Sequence, residues 1–153
     1  MPNATRRVLL ASLGRSWAVV PEAFHLPTPD QAGFAEVHVL TTASPLIDAG
    51  IEAVRGYFHD RHPRVLLSIT RVAGFTDLRD ERDHAEFEEV LHRWILEKAP
   101  NPASRHVCIA GGLKTISAAM QKAAATLGAA EVFHVLADAI FTDRSEERRV
   151  GKE

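Results

Sequence analysis

Five short apolar runs of strand length alternate with segments of helical pattern along the chain, and this alternation limits the folds it can adopt. The runs are rich in Val, Ile and Leu, and they lie at residues 7–13, 36–42, 64–70, 105–110 and 131–138. They do not alternate strictly between apolar and polar residues, which is typical of strands buried on both faces. The sequence therefore predicts an α/β fold: a doubly wound, mainly parallel Rossmann-like sheet with helices on both faces.

The segments between these runs carry helix signals. Helices are predicted at residues 17–26, 46–59, 83–99 and 113–127. Ser16 is a candidate N-cap for the first, and Ser44 followed by Pro45 is a stronger start for the second. The third helix has the clearest apolar face, and its spacing predicts that Phe87, Leu91, Trp94 and Ile95 are buried. Gly128 is a typical residue to end the fourth.

Composition excludes several classes of protein. A chain of 153 residues with 46% hydrophobic and 25% charged residues fits one soluble globular domain. No apolar run approaches the roughly 20 residues of a membrane span, and a net charge of −2 argues against a general DNA-binding role. A single cysteine, Cys108, is compatible with the cytoplasm and excludes an internal disulfide framework. We expect one domain over residues 1–141 and a disordered or non-native tail over residues 142–153.

A ligand site is expected at the carboxyl ends of the strands, where the strand order reverses. If the order is 3-2-1-4-5, the crevice opens between the first and fourth strands. The loop after the first strand contains Ser12, Leu13, Gly14, Arg15 and Ser16, and the loop after the fourth contains Gly111, Gly112, Leu113, Lys114 and Thr115. These two loops are also the most chemically suggestive in the chain.

The loop after the fourth strand is suited to a phosphate. Gly111 and Gly112 let backbone N–H groups approach a ligand without clashes from Cβ atoms. The next helix begins near Lys114, so its positive dipole end and the lysine charge favour an anion, and Thr115 adds a hydroxyl. The alternative is a glycine-rich turn with a solvated lysine. In the first loop, Arg15 can form a bidentate contact with a phosphate or stack on a base, whereas Ser16 is either a ligand contact or only a helix cap.

Other motifs are weaker. Neither GxxxxGK[ST] nor GxGxxG is present, which disfavours P-loop and dinucleotide chemistry, and no cofactor is expected. His59 and His62 have no third ligand nearby, so we predict surface residues and not a metal site. The acidic residues at positions 77–83 are interleaved with arginines, which favours ion pairing and helix N-terminal charge. Cys108 and His38 are expected in or near the core, as is His134.

Two segments, VLLASLGRS at residues 8–16 and IAGGLKTISAAM at residues 109–120, resemble the CRISPR-associated Rossmann-fold family. The run EVHVLTT at residues 36–42 and the loop at residues 77–79 resemble one subgroup of its small members, and the resemblance spans roughly residues 6–138. The resemblance implies a homodimer that binds a cyclic oligoadenylate across its twofold axis. It adds Thr41 and Thr42 to the implied ligand-binding residues.

Small stand-alone members of that family can be ring nucleases, which cut the cyclic messenger and end an antiviral response. The resemblance implies metal-independent attack by a ribose 2′-OH, with Lys114 stabilising the developing charge and Ser12 and Arg15 positioning ribose and phosphate. Cyclic tetra-adenylate is the expected ligand, although the loops do not decide the ring size. Two alternatives stay open: a non-catalytic sensor, either regulatory or part of a truncated effector, and a Rossmann-like protein for another nucleotide.

Overall fold

The computed structural model describes residues 6–26, 33–72, 80–109 and 114–135. Its centre is a five-stranded sheet with the strand order β3-β2-β1-β4-β5, and every neighbouring pair is parallel. The strands are β1 (Val8–Ser12), β2 (Glu36–Thr42), β3 (Leu66–Val72), β4 (Arg105–Cys108) and β5 (Glu131–Phe133). The predicted fold class is confirmed, and the observed strand order is the one that was assumed in placing the crevice.

In the part of the chain that the structure describes, four α-helices cover the two faces of the sheet: α1 (Val19–Phe24), α2 (Asp48–Arg61), α3 (Glu81–Lys98) and α4 (Lys114–Leu127). The buried side chains of these residues form two apolar clusters. One joins α3 and α4 to β1, β2, β3 and β4, and the other joins α1 and α2 to the opposite face. The strands β1, β2 and β4 alternate their side chains between these clusters, so both faces of the central strands are buried, as their apolar sequences require.

The predicted core positions of α3 are confirmed, since Phe87, Leu91, Trp94 and Ile95 are all buried. Cys108 and His38 are also buried. The His38 imidazole lies between the Ser68 hydroxyl, at 2.6 Å, and the Glu36 carboxylate, at 2.8 Å, which satisfies both ring nitrogens. His134 is exposed, so its expected place near the core is wrong: β5 is an edge strand and ends at Phe133.

The helix starts differ in part from the prediction. Ser16 does not cap α1, whose N-cap is Ala18 without a side-chain hydrogen bond. The Ser44 hydroxyl accepts a hydrogen bond from the Leu46 amide and caps a short 3-10 turn (Pro45–Ile47), after which α2 begins at Asp48. Asp80 caps α3 by accepting from the Asp83 amide at 2.9 Å, which agrees with the expected helix N-terminal role of these acidic residues.

Within the described ranges, no helix is both long enough and apolar enough to span a membrane. The predicted tail at residues 142–153 and the predicted end of the fifth strand at residues 136–138 lie outside those ranges.

Candidate functional site

The carboxyl ends of β1 and β4 lie side by side in the sheet, as the crevice hypothesis requires. Ala11 of β1 pairs with Cys108 of β4, and on the other side Ser12 pairs with Leu40 of β2. The parallel ladder continues one residue beyond β1, because the Leu13 amide donates to the Leu40 carbonyl at 3.0 Å. The loop that leaves β1 therefore starts from a fixed backbone position between two neighbouring strands.

The first loop divides into a buried part and an exposed part. Ser12 is 1% exposed and Leu13 is 2% exposed. Gly14 is half-buried, whereas Arg15 and Ser16 are exposed. By strand alternation Ser12 shares the side of β1 that faces α3 and α4, and the chain then turns toward α1 on the opposite side. Arg15 and Ser16 are the members of this loop that are accessible to a ligand.

Thr41 and Thr42 stabilise this edge of the sheet through their hydroxyls. Thr41 is 2% exposed and donates its hydroxyl proton to the Leu13 carbonyl at 2.7 Å. The Thr42 hydroxyl accepts from the Ser44 amide at 3.4 Å. Both residues, which the family resemblance places among the ligand-binding residues, thus have hydrogen-bond partners inside the protein.

The start of α2 packs closely on the first loop. A Cβ atom added at Gly50 would lie 3.5 Å from the Trp17 Cβ atom and 3.9 Å from the Gly14 carbonyl oxygen. The first turns of α2 therefore touch the backbone of the loop that carries Arg15, and the position of this helix sets the space available to that loop.

Arg71 is a residue of this edge that the sequence prediction missed, because the prediction placed it in the loop after the third strand. It lies in β3, with Thr41 as its partner in the sheet register. Its guanidinium donates to the Ser44 carbonyl and to an Asp48 carboxylate oxygen, each at 2.6 Å, and to the Thr42 carbonyl at 3.2 Å. Arg71 thereby connects the end of β3 to the connection between β2 and α2. An arginine so close to a strand end is the one sequence signal that could have identified it.

The loop after β4 is described only from its helical end. Lys114 is the first residue of α4, and both Lys114 and Thr115 are exposed. The strand order and the start of α4 therefore bring an exposed ammonium group to the same edge of the sheet as Arg15. Gly111, Gly112 and Leu113 lie outside the described residues.

A group of aromatic and histidine side chains lies at the opposite end of α1 and α2. The His25 imidazole contacts the Tyr57 hydroxyl at 2.5 Å, and the His25 and His62 rings are 5.2 Å apart. Burial, together with the charges of His62 and Arg61, lowers the pKa of His25. Among the residues described, no group of three or more His, Cys, Asp or Glu side chains could hold a metal ion.

Comparison with protein families gives a match to the model described as "CRISPR-associated protein NE0113", over residues 18–153. The chain belongs to this CRISPR-associated family. The match includes β2 to β5, Lys114 of α4 and Arg71 of β3. No curated protein matches the chain by sequence.

Comparison with solved structures shows that the fold of this chain also occurs in a CRISPR-associated protein. The chain is similar to Enterococcus italicus Csm6, solved bound to cyclic hexa-2′-fluoro-hexa-dAMP, with a TM-score of 0.61 and 13% sequence identity. The alignment covers 96% of this chain and 38% of the Csm6 chain. The chain thus spans well under half of that structure. The resemblance to CRISPR-associated Rossmann-fold proteins is confirmed by the family match and the shared fold.

Proposed function

We propose that this member of the CRISPR-associated NE0113 family binds a cyclic oligoadenylate at the carboxyl edge of its sheet and cleaves it as a ring nuclease. The observation that carries the proposal is the juxtaposition of the ends of β1 and β4, with exposed Arg15 and Lys114 on the segments that follow them. Two cations beside a helix N-terminus suit a ligand with several phosphates. The solved Csm6 structure supports it, because its ligand is a cyclic oligonucleotide of the adenine series.

Cleavage of such a ring requires few groups from the protein. A ribose 2′-OH attacks the adjacent phosphorus and loses its proton, the bond from phosphorus to the 5′-oxygen breaks, and that oxygen takes up a proton. The ring opens to one linear oligoadenylate, with a 2′,3′-cyclic phosphate at one end and a free 5′-OH at the other. The protein must align the 2′-oxygen with the leaving oxygen and stabilise the charge that develops on the phosphorane.

The residues of the two loops divide these tasks between them. Lys114 is the proposed charge stabiliser, because it is exposed at the first residue of α4, where the helix dipole also favours an anion. Arg15 is the proposed phosphate contact of the first loop. Ser12 is buried, so its proposed role is to position the loop that carries Arg15. The backbone of Gly111, Gly112 and Leu113 completes the proposed phosphate site.

The proposal includes a twofold dimer. A cyclic oligoadenylate repeats its phosphates and bases around a ring, so two identical sets of loops can bind it symmetrically. In such a dimer two copies of Lys114 face one ring, and a single substitution removes two charges from the site.

A non-catalytic sensor is the second candidate. It is favoured by the length of the matched Csm6 chain, of which a domain of this size forms only 38%. A sensor would bind the ring through the same loops and leave it intact. Binding and cleavage must therefore be measured separately.

Lys114→Ala tests the proposal, and Lys122→Ala is the matched control. Lys122 lies on the same helix, is exposed and faces the Glu88 carboxylate at 3.6 Å. The experiment incubates each variant with labelled cyclic tetra-adenylate and cyclic hexa-adenylate in EDTA and measures both the affinity and the single-turnover rate. We expect Lys114→Ala to slow cleavage at least about 100-fold and to weaken binding, and we expect Lys122→Ala to match the wild type.

Three outcomes would each contradict a part of the proposal. If Lys114→Ala retains wild-type affinity and rate, the phosphate-site assignment is wrong. If the wild type binds a ring but does not cut it, the protein is a sensor. If the wild type binds neither ring, the proposed ligand class is wrong.

A further inference from the structure

Arg71 links an edge strand to the connection that follows the neighbouring strand. It lies in edge strand β3, yet its three hydrogen bonds all reach across to the connection between β2 and α2. The Ser44 and Thr42 carbonyls and the Asp48 carboxylate are the acceptors. One guanidinium therefore fixes both the turn after β2 and the first residue of α2.

The start of α2, which Arg71 holds, in turn contacts the first loop of the proposed site. Asp48 begins α2, and Gly50, two residues later, lies against Trp17 and the Gly14 carbonyl. A shift of the start of α2 would move this contact and with it the loop that carries Arg15. The second connection runs through the sheet, because Thr41 pairs with Arg71 and donates its hydroxyl to the Leu13 carbonyl.

We propose that Arg71 is a positioning residue for ligand binding: its bonds to the β2–α2 connection hold α2, and through α2 the Gly14–Arg15 backbone, in the geometry that accepts the phosphates. This inference rests on the proposed function for its ligand. It assigns to Arg71 no contact with the ligand, because three of its five N–H donors already bond to the β2–α2 connection and the proposed effect runs through that connection. The planar guanidinium can reach all three acceptors at once, and a lysine ammonium on a flexible chain cannot hold the same geometry.

Variants of Arg71 and Asp48 can show whether Arg71 acts by positioning α2 or only by attracting the anionic ligand with its charge. Arg71→Ala and Arg71→Lys both lose the three-acceptor arrangement, but the lysine variant keeps the positive charge. Asp48→Asn removes a negative charge near a site for an anion, so electrostatics alone predicts tighter binding of the ring. If Arg71 acts by positioning, Asp48→Asn should instead weaken binding of the ring, because residue 48 at the start of α2 loses its charge-assisted bond to Arg71.

The experiment measures binding of cyclic tetra-adenylate and cyclic hexa-adenylate to these variants and to Arg55→Ala. Arg55 is the matched control, because it is an exposed arginine of α2 whose contact with Glu52, at 3.4 Å, stays within the helix. We expect a roughly 10-fold loss of affinity in Arg71→Ala, little rescue in Arg71→Lys, and a smaller loss in Asp48→Asn. Arg55→Ala is expected to bind as the wild type. Rescue by Arg71→Lys, or tighter binding by Asp48→Asn, would overturn the inference.

The effect of Arg71 on the first loop can also be measured in the protein without ligand, so this test does not depend on the proposed function. Hydrogen exchange of the Leu46 and Ile47 amides, which donate to the Ser44 side chain and carbonyl, reports on the turn that Arg71 holds. We expect faster exchange there and at the Leu13 amide, which donates to the Leu40 carbonyl, in Arg71→Ala, but not in Arg55→Ala. Unchanged exchange at the Leu13 amide would show that Arg71 does not act on the first loop. If no ring binds the wild type while exchange changes as expected, the proposed ligand fails and the structural connection stands.

Discussion

Arg105 joins the ends of two helices through one buried side chain. It is 1% exposed, and its guanidinium donates four hydrogen bonds to the carbonyls of Ala99, Pro100, Leu127 and Gly128, at 2.7 to 3.3 Å. These carbonyls lie at the C-terminal ends of α3 and α4, where the helix dipoles favour a cation. Burial lowers the pKa of the guanidinium, but an arginine stays protonated at neutral pH.

Arg105→Met is therefore expected to destabilise the fold strongly. The substitution keeps much of the side-chain volume but leaves four buried or partly buried carbonyl oxygens without their charged donor, a loss of about 3 kcal/mol or more in the free energy of unfolding. Urea denaturation measures it. Arg93→Ala is the control, since Arg93 is exposed and its bond to Glu89 follows an i,i+4 helix spacing, and it should change stability by less than about 0.5 kcal/mol. A loss of under about 1 kcal/mol in Arg105→Met would contradict this role.

Two glycines show at the level of helices how the same substitution can have opposite effects. Gly56 is inside α2, where a Cβ atom would meet nothing within 4 Å. Gly128 follows α4 with φ +93°, and its amide donates to the Ala124 carbonyl at 2.8 Å. Only the second position requires the left-handed backbone that glycine adopts without strain.

Gly56→Ala should raise the free energy of unfolding by about 0.5–1 kcal/mol, because alanine loses less backbone entropy in a helix. Gly128→Ala should lower it by about 1 kcal/mol, because an L side chain is strained at this φ. Thermal unfolding of both variants beside the wild type tests the pair, each variant serving as the control for the other. Equal shifts of the same sign would show that the end of α4 does not depend on glycine.

At the level of the whole molecule, we propose that two copies of the chain share the site. One chain offers a single set of loops, with Arg15 and Lys114 exposed, whereas a cyclic oligoadenylate presents the same groups repeatedly around its ring. The twofold arrangement proposed above would bring two sets of loops to one ligand and would link affinity to assembly.

We therefore expect one ring to bind per two chains. Sedimentation velocity gives the oligomeric state, and titration calorimetry gives the stoichiometry of cyclic tetra-adenylate or cyclic hexa-adenylate. Dilution below the dimer dissociation constant should weaken the apparent affinity, because the ligand then has to assemble its own site. A monomer that binds one ring per chain at full strength would contradict the shared site.

The sequence by itself determined the architecture, and it also led to the edge of the sheet where we propose the site. Apolar runs without strict alternation predicted buried parallel strands, and the helical spacing of residues 83–99 predicted the buried face of α3. Such patterns are local, so they can be recognised without knowing which strands pair. The proposed order 3-2-1-4-5 then placed the loops after β1 and β4 at one edge, and the structure has that order.

The tertiary structure alone decided which side chains of that edge are accessible and which are already bonded. Ser12, Thr41 and Thr42 are candidates of the same kind as Arg15 in the sequence, but the structure buries the first three and exposes Arg15. The partners of Arg71 could not be read from its place near a strand end either, because its Thr42 acceptor is 29 residues away in sequence. A hydrogen bond between such distant residues depends on the register of neighbouring strands and the docking of a helix. These are set by packing across the whole sheet, and not by any pattern within one segment.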